Sequence, residues 1–319
     1  MASISSTRLS VYAALAGNLL VALTKTAAAI GTGSSAMLSE AVHSFVDSGN
    51  ELLLLHGMRR STQQADLEHP LGYGRELYFW SFIVALMVFA LGAGVSIYQG
   101  VVHVRQPQPI SRPLVSYVVF GLCFVFEGAS WLISLRQFKA AKGPLGYYEA
   151  FLCSKDPPSF MVLFEDSAAL LGIAIATLGT FAATTLDAPV FDGVASILIG
   201  LVLAVVAALL ARESKSLLIG ERADRRLGAS IMRMAGEHDA IARANGLITV
   251  QLAPNQVVVA LSLTFLDDVR ASVIEELVHR LELDIRRRHP EVVALFVKPQ
   301  TAEAYAASVH RRFGGGMDE

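Results

Sequence analysis

Long apolar runs fill the first two thirds of this chain and restrict its fold more than any other feature. A helix needs about 20 mostly apolar residues to cross a hydrocarbon core roughly 30 Å thick, because lipid offers no partner for a bare peptide group. Six stretches reach that length, at 9–30, 36–57, 78–103, 114–136, 159–183 and 190–211. Turn-forming residues separate them, among them Gly31-Thr32-Gly33, Gln106-Pro107-Gln108-Pro109 and Asp187-Ala188-Pro189. The charges are partitioned: of 54 Lys, Arg, Asp and Glu, 24 lie in residues 1–210 and 30 in the last 109. The expected architecture is an α-helical membrane protein with six transmembrane helices over 1–211. A soluble domain over 212–302 and a disordered tail over 303–319, containing Gly314-Gly315-Gly316, complete it.

Composition excludes several classes. A net charge of −2 gives no electrostatic footprint for nucleic acid, so none is expected as a partner. Two cysteines, Cys123 and Cys153, are too few for a disulfide framework or a cysteine zinc cluster. No G-x-x-x-x-G-K-[ST] phosphate loop occurs, and no Ser/His/Asp or H-E-x-x-H set falls at membrane depth, so no enzyme is expected.

Residues 9–30 are expected to stay as a membrane helix rather than be cleaved as a leader, because Lys25 interrupts the run where an apolar signal core would continue. With only about eight residues before it, no transit peptide is expected, which favours a bacterial cytoplasmic membrane. The 58–77 segment carries Arg59, Arg60 and Arg75, and the 137–158 segment carries Lys139, Lys142 and Lys155; the opposite loops carry fewer basic residues. The positive-inside rule therefore places both termini in the cytoplasm.

Polar residues inside the apolar runs require a partner or a function. His43 and Asp47 are four apart, hence about 40° apart on one helix face and one turn removed from each other. Glu165 and Asp166 interrupt the run from Phe160 to Leu171. An imidazole with carboxylates from a facing helix suits a borderline divalent ion such as zinc. The same pair also suits plain hydrogen bonding between helices. For Lys25 and Glu127 a buried ion pair is the simpler reading, and for Asp192 an interaction with the positive end of its own helix.

The run from Ser34 to Asp47, with its H-x-x-x-D at His43 and Asp47, resembles the second-helix signature of the cation diffusion facilitators. Glu68-His69-Pro70-Leu71-Gly72-Tyr73-Gly74-Arg75 resembles the D-H-P-x-G-H-G-K loop of that family. The run from Val162 to Gly172 resembles the L-L-E-D-x-A-A-x-L-G stretch of a divergent branch that includes mitochondrial zinc transporters, and Ser216-Leu217-Leu218-Ile219-Gly220 resembles the ending of its sixth helix. The resemblance covers nearly the whole chain. It implies a homodimeric, proton-coupled exporter of divalent cations lodged in the bilayer, with Zn2+ as the expected cargo. His43, Asp47 and Asp166 match the transport ligands. Val162 stands where most of the family has a fourth-ligand His, leaving Glu165, Asn50 or a water for that place. More carboxylate makes a site harder, which keeps Mn2+ or Fe2+ open as cargo, and a transport-incompetent partner subunit of a heterodimer is the other alternative. In the loop, Asp66 and His69 match a second metal site, but Tyr73 replaces its second His.

Past Gly220 the pattern changes to a helix over 226–237, strands over 247–253 and 256–266, a helix over 270–289 and a strand over 292–297. This α-β-β-α-β order suggests a small ferredoxin-like α+β domain, similar to the dimerising cytoplasmic module of the family. Its only matches to regulatory zinc ligands are His238 and Asp239, too few for a closed zinc site, so a metal-free module is expected.

Overall fold

The computed structural model describes residues 18–314. They form two compact units. The first comprises the described residues up to Arg60 together with Glu76–Lys215. The second comprises Ser61–Arg75 and the described residues from Ser216 onward.

The first unit is a helical bundle. Helix α1 is described over 18–32, α2 is Ser35–Ser61, α3 is Glu76–Arg105, α4 is Pro113–Lys142, α5 is the short Tyr147–Cys153, α6 is Pro157–Thr185 and α7 is Val190–Ile219. Pro113 and Pro157 open α4 and α6 in the first turn, where a missing N–H costs nothing. Gly33, at φ +72°, turns the chain between α1 and α2. The core draws on small residues from α1, α2, α3, α6 and α7, including Ala29, Ala36, Ala93, Ala168, Ala176 and Ala195, with Val119, Phe120 and Cys123 from α4. Small side chains let helix backbones approach closely, which is how bundles pack in lipid. Glycines carry this furthest between α3 and α7. A Cβ at Gly100 would lie 2.6 Å from the Gly193 carbonyl, and one at Gly200 would lie 3.0 Å from that of Ala93. Ala93 closes a π-helical turn, Val88–Ala93, in the middle of α3.

The six-span expectation is overturned. Among the described residues four helices are long and apolar enough to cross a membrane: Glu76–Arg105, Pro113–Ala140, Pro157–Thr185 and Val190–Ile219. The 9–30 stretch begins outside the described residues, and its described part is too short to qualify. Helix α2 has the length, at 27 residues, but Glu40, His43, Asp47, Asn50 and Glu51 make it too polar. Those polar groups turn inward while Phe45 and Leu52 are exposed, so α2 inverts the pattern of a water-facing helix. The chain is a multi-pass membrane protein with four apolar spans in its described part.

The second unit holds α8 (Arg225–Gly236), β1 (Ile241–Ala253), β2 (Gln256–Phe265), α9 (Ala271–Arg288), β3 (Val292–Pro299) and α10 (Ala302–Phe313). The sheet order is β1-β2-β3, with β1 antiparallel and β3 parallel to β2. Pro254-Asn255 makes the hairpin turn. A parallel neighbour needs a crossover, which α9 supplies, burying Leu281 and Ile285 one turn apart on the alternating face Val257, Val259, Leu261 and Leu263. The ferredoxin-like expectation does not hold. Helix α8 precedes a sheet of three strands, and the chain continues after β3 into α10, giving a mixed sheet-and-helix domain. Strand β1 also starts six residues before the expected strand, because irregular register at Ile241/Arg243 and Ala244/Gly246 breaks the alternation that marks a strand in sequence. Helix α10 occupies residues expected to be a disordered tail. Thr301 caps it by accepting the Ala304 amide at 3.2 Å, and its Tyr305 leaves no room for a Cβ on Gly246. Residues 315–319 of that expected tail lie outside the described residues.

Candidate functional site

Helix α2 assembles the polar interior of the bundle. Its 3.6-residue repeat lines up Glu40, His43, Ser44, Asp47, Asn50 and Glu51 toward α1, α4 and α6. The His43 imidazole is 1% exposed, and its Nδ1 stands 3.3 Å from Asp47 Oδ1. Neither ring nitrogen has a hydrogen-bond partner among the described residues, and neither does Asp47 Oδ1. Buried polar atoms are seldom left in this condition unless something else is meant to satisfy them.

On α6, the two adjacent acids diverge by the roughly 100° that separates neighbouring helical residues. Glu165 Oε1 accepts a 2.9 Å bond from Asn50 Nδ2, tying α6 to α2. Asp166 Oδ2 turns to α4, where Ser130 and Ser134 donate at 2.9 and 3.3 Å. Asp47, Glu165 and Asp166 all line one cavity of about 790 Å³, together with Asn18, Glu51 and Glu127. The structure thus brings His43 to Asp47, and Asp47, Glu165 and Asp166 to one cavity. It does not bring the four to one point: among the described residues no three His, Cys, Asp or Glu side chains form a group that could hold a metal ion.

The loop pair behaves differently. Asp66 and His69 are half-exposed, with His69 Nδ1 3.5 Å from Asp66 Oδ1. The Asp66 carboxylate is already engaged, accepting the amides of Glu68 at 3.0 Å and His69 at 2.7 Å, and the Tyr73 hydroxyl at 2.7 Å. The phenol of Tyr73, with the His69 amide, holds this carboxyl below its ordinary pKa. Tyr73, standing where a second His would fall, therefore closes a turn on Asp66. Gly74 beside it fits against the hairpin, where a Cβ would lie 3.1 Å from the Leu252 carbonyl.

Asp192 is the residue that sequence reasoning underrated. It is fully buried and caps α2 rather than its own helix. Its oxygens accept from Ser34 Oγ at 2.6 Å, the Ser35 amide at 2.5 Å, Ser35 Oγ at 2.9 Å and the Ala36 amide at 3.3 Å. The Ser34-Ser35 pair before a long helix was a visible cap signal, but nothing local could name the acceptor. Ser130 and Ser134, spaced four apart, are the second omission.

Residues 11–219 match the cation efflux transmembrane domain. The human protein named proton-coupled zinc antiporter SLC30A9, mitochondrial, is 37% identical over 194 residues, covering 60% of this chain and 34% of that protein. Metal tolerance protein C4 of Arabidopsis thaliana is 34% identical over 195 residues, 60% of this chain and 43% of that protein. Cation-efflux pump FieF of Cronobacter sakazakii (strain ATCC BAA-894) is 28% identical over 125 residues, 37% of this chain and 41% of that protein. The matched region spans about a third of the human relative's length. With its helical region matched almost from end to end, this chain belongs to the cation efflux family.

Proposed function

We propose that this chain is a proton-coupled antiporter that moves divalent metal cations, zinc foremost, out of the cytoplasm across a membrane. The reading is carried by the buried His43–Asp47 pair, whose imidazole nitrogens and Oδ1 have no hydrogen-bond partner among the described residues, beside a cavity lined by further carboxylates. The relationship to a protein named as a zinc antiporter supports the choice of cargo.

His43, Asp47 and Asp166 are the proposed ligands, with Glu165 as the fourth. An arriving ion takes the free His43 and Asp47 atoms and draws Asp166 from Ser130 and Ser134 into one coordination shell. The ion requires a neutral imidazole and ionised carboxylates, so binding releases protons and reprotonation expels the metal. This competition couples export to a proton gradient without a nucleotide. The protomer alternates in which side of the membrane can reach the cavity, and works as a homodimer.

The basic residues Arg59, Arg60 and Arg75 support a cytoplasmic side for the 61–75 loop. That loop shares a compact unit with the C-terminal domain, which supports placing both on one side. A bacterial cytoplasmic membrane is the proposed location. Asp66 and His69 serve as a surface turn with at most a passing contact to an entering ion. The carboxylate-rich cavity wall also favours a second reading of the cargo as manganese or iron, harder ions than zinc.

The test is flux in liposomes of clamped internal pH, loaded with purified protein and challenged with zinc, manganese, iron and cobalt. Zinc movement against an opposing proton flow is the expected result. Faster manganese or iron flux would move the cargo, and no flux for any metal under any gradient would leave a transport-incompetent partner subunit. Glu165→Gln keeps the Asn50 bond available and should weaken zinc affinity by about tenfold.

A further inference from the structure

Among the described residues, the cavity beside His43 and Asp47 has five carboxylates in its lining, Asp47, Glu51, Glu127, Glu165 and Asp166, and no Lys or Arg. Its positive charge comes from behind the wall. Lys25, on α1, is fully buried, and its ammonium lies 3.3 Å from Glu40 Oε2, 2.8 Å from Ser44 Oγ and 3.7 Å from Glu127 Oε1. Glu40 is fully buried as well, and its other oxygen has no hydrogen-bond partner among the described residues. Gly172 on α6 makes room for it, since any Cβ there would strike the Glu40 carboxylate. Glu127 is different: it is partly exposed and belongs to the cavity wall.

A lysine placed only to neutralise Glu40 would need no second carboxylate. Here one ammonium is shared between an acid sealed in the bundle and an acid facing the cavity. We propose that Lys25 is a resident counter-cation of the transport cavity, a positioning residue that occupies Glu127 and so sets how many carboxylates the cavity offers to its cargo. The inference rests on the transport reading above. Tied to Lys25, Glu127 is withheld from the ion, which then meets Asp47, Glu165 and Asp166. Released, Glu127 would be free to meet the ion as one more carboxylate of the wall, and a divalent ion would be held more tightly and let go more slowly. At the separations within such a cavity a unit charge acts strongly on a divalent ion.

Opposite signs for the two partners make the idea testable. Because Lys25→Met alone would leave Glu40 uncompensated, the ammonium is removed in the pair Lys25→Met/Glu40→Gln, which exchanges a buried ion pair for a neutral one. In the liposome assay with zinc, this variant should lower KM at least about tenfold and lower kcat with it. Glu127→Gln alone leaves the ammonium without its cavity partner and should raise KM. The triple variant Lys25→Met/Glu40→Gln/Glu127→Gln should return KM to within about threefold of the parent. A purely structural Lys25 would give reduced folded yield with KM unmoved, or KM changes of the same sign in both arms, and either overturns the inference. Absence of zinc flux in the parent protein would instead overturn the transport reading itself.

Discussion

The carboxylate of Asp192 accepts the Ser35 amide at 2.5 Å, so the first turn of α7 closes the open N-terminus of α2. The two residues are separated by 157 positions in sequence. The first amides of a helix have no partner within it, and a buried anion there satisfies them and meets the positive end of the helix dipole. Because α2 carries His43 and Asp47 on the same rigid element, the cap also sets where they stand. Asp192→Ala should cost about 2–3 kcal/mol, more than an exposed cap, since Ser34, Ser35 and Ala36 would lose a shared buried acceptor. Asp192→Asn should cost less. Thermal unfolding of the purified protein in detergent, followed by circular dichroism, reads both; an unchanged midpoint for Asp192→Ala would show that the cap contributes nothing.

Asp47 is expected to separate transport from folding. It is partly exposed to the cavity, and its Oδ1 has no hydrogen bond among the described residues to lose. Asp47→Ala should therefore leave expression and melting behaviour close to the parent while zinc flux falls by on the order of a hundredfold. Unaltered flux would place the transported ion elsewhere in the bundle.

The 66–73 turn should respond to acid in a defined direction. Its Asp66 carboxyl sits below its ordinary pKa in the folded loop. A carboxyl lowered by folding stabilises the loop above its unfolded-state pKa, and that contribution disappears as pH falls through the lower, folded value. Tyr73→Phe removes the strongest donor and should raise the Asp66 pKa, so that the turn opens at a higher pH. Carboxyl chemical shifts of Asp66 across an acid titration measure this, and coincident titrations of parent and variant would contradict it.

Helix α10 should depend on one glycine. Tyr305 covers Gly246 so closely that a Cβ would collide with the ring and hydroxyl. Gly246→Ala should displace Tyr305 and loosen α10, at about 1–3 kcal/mol. Amide exchange over 302–313 should then rise while the α8 and β2 amides stay protected. Equal protection in both proteins would mean that Tyr305 does not fasten the helix.

Much of this architecture can be read directly from residue order. The apolar runs at 78–103, 114–136, 159–183 and 190–211 each became a helix that starts within two residues of the expected start and runs up to eight residues past the expected end, because length and hydropathy are local properties. The pairing of His43 with Asp47 was likewise legible, since an i, i+4 spacing fixes a shared helix face whatever surrounds it. Hydropathy counting failed at α2, where Glu40, His43, Asp47, Asn50 and Glu51 make the helix too polar to pass as a span. It failed again after β3, where a glycine-containing tail hid the amphipathic α10.

Residue order by itself marked most of the helices and strands and which polar side chains share a face, because both follow from the repeat of a single element. Only the tertiary structure decided which face meets which. It chose Ser35 for Asp192, Glu40 for Lys25 beside the Glu127 already expected there, Asn50 for Glu165, and two α4 serines for Asp166. The physical reason is that a buried charge takes whichever partner the packing of distant helices delivers, and no periodicity within one helix encodes its neighbour.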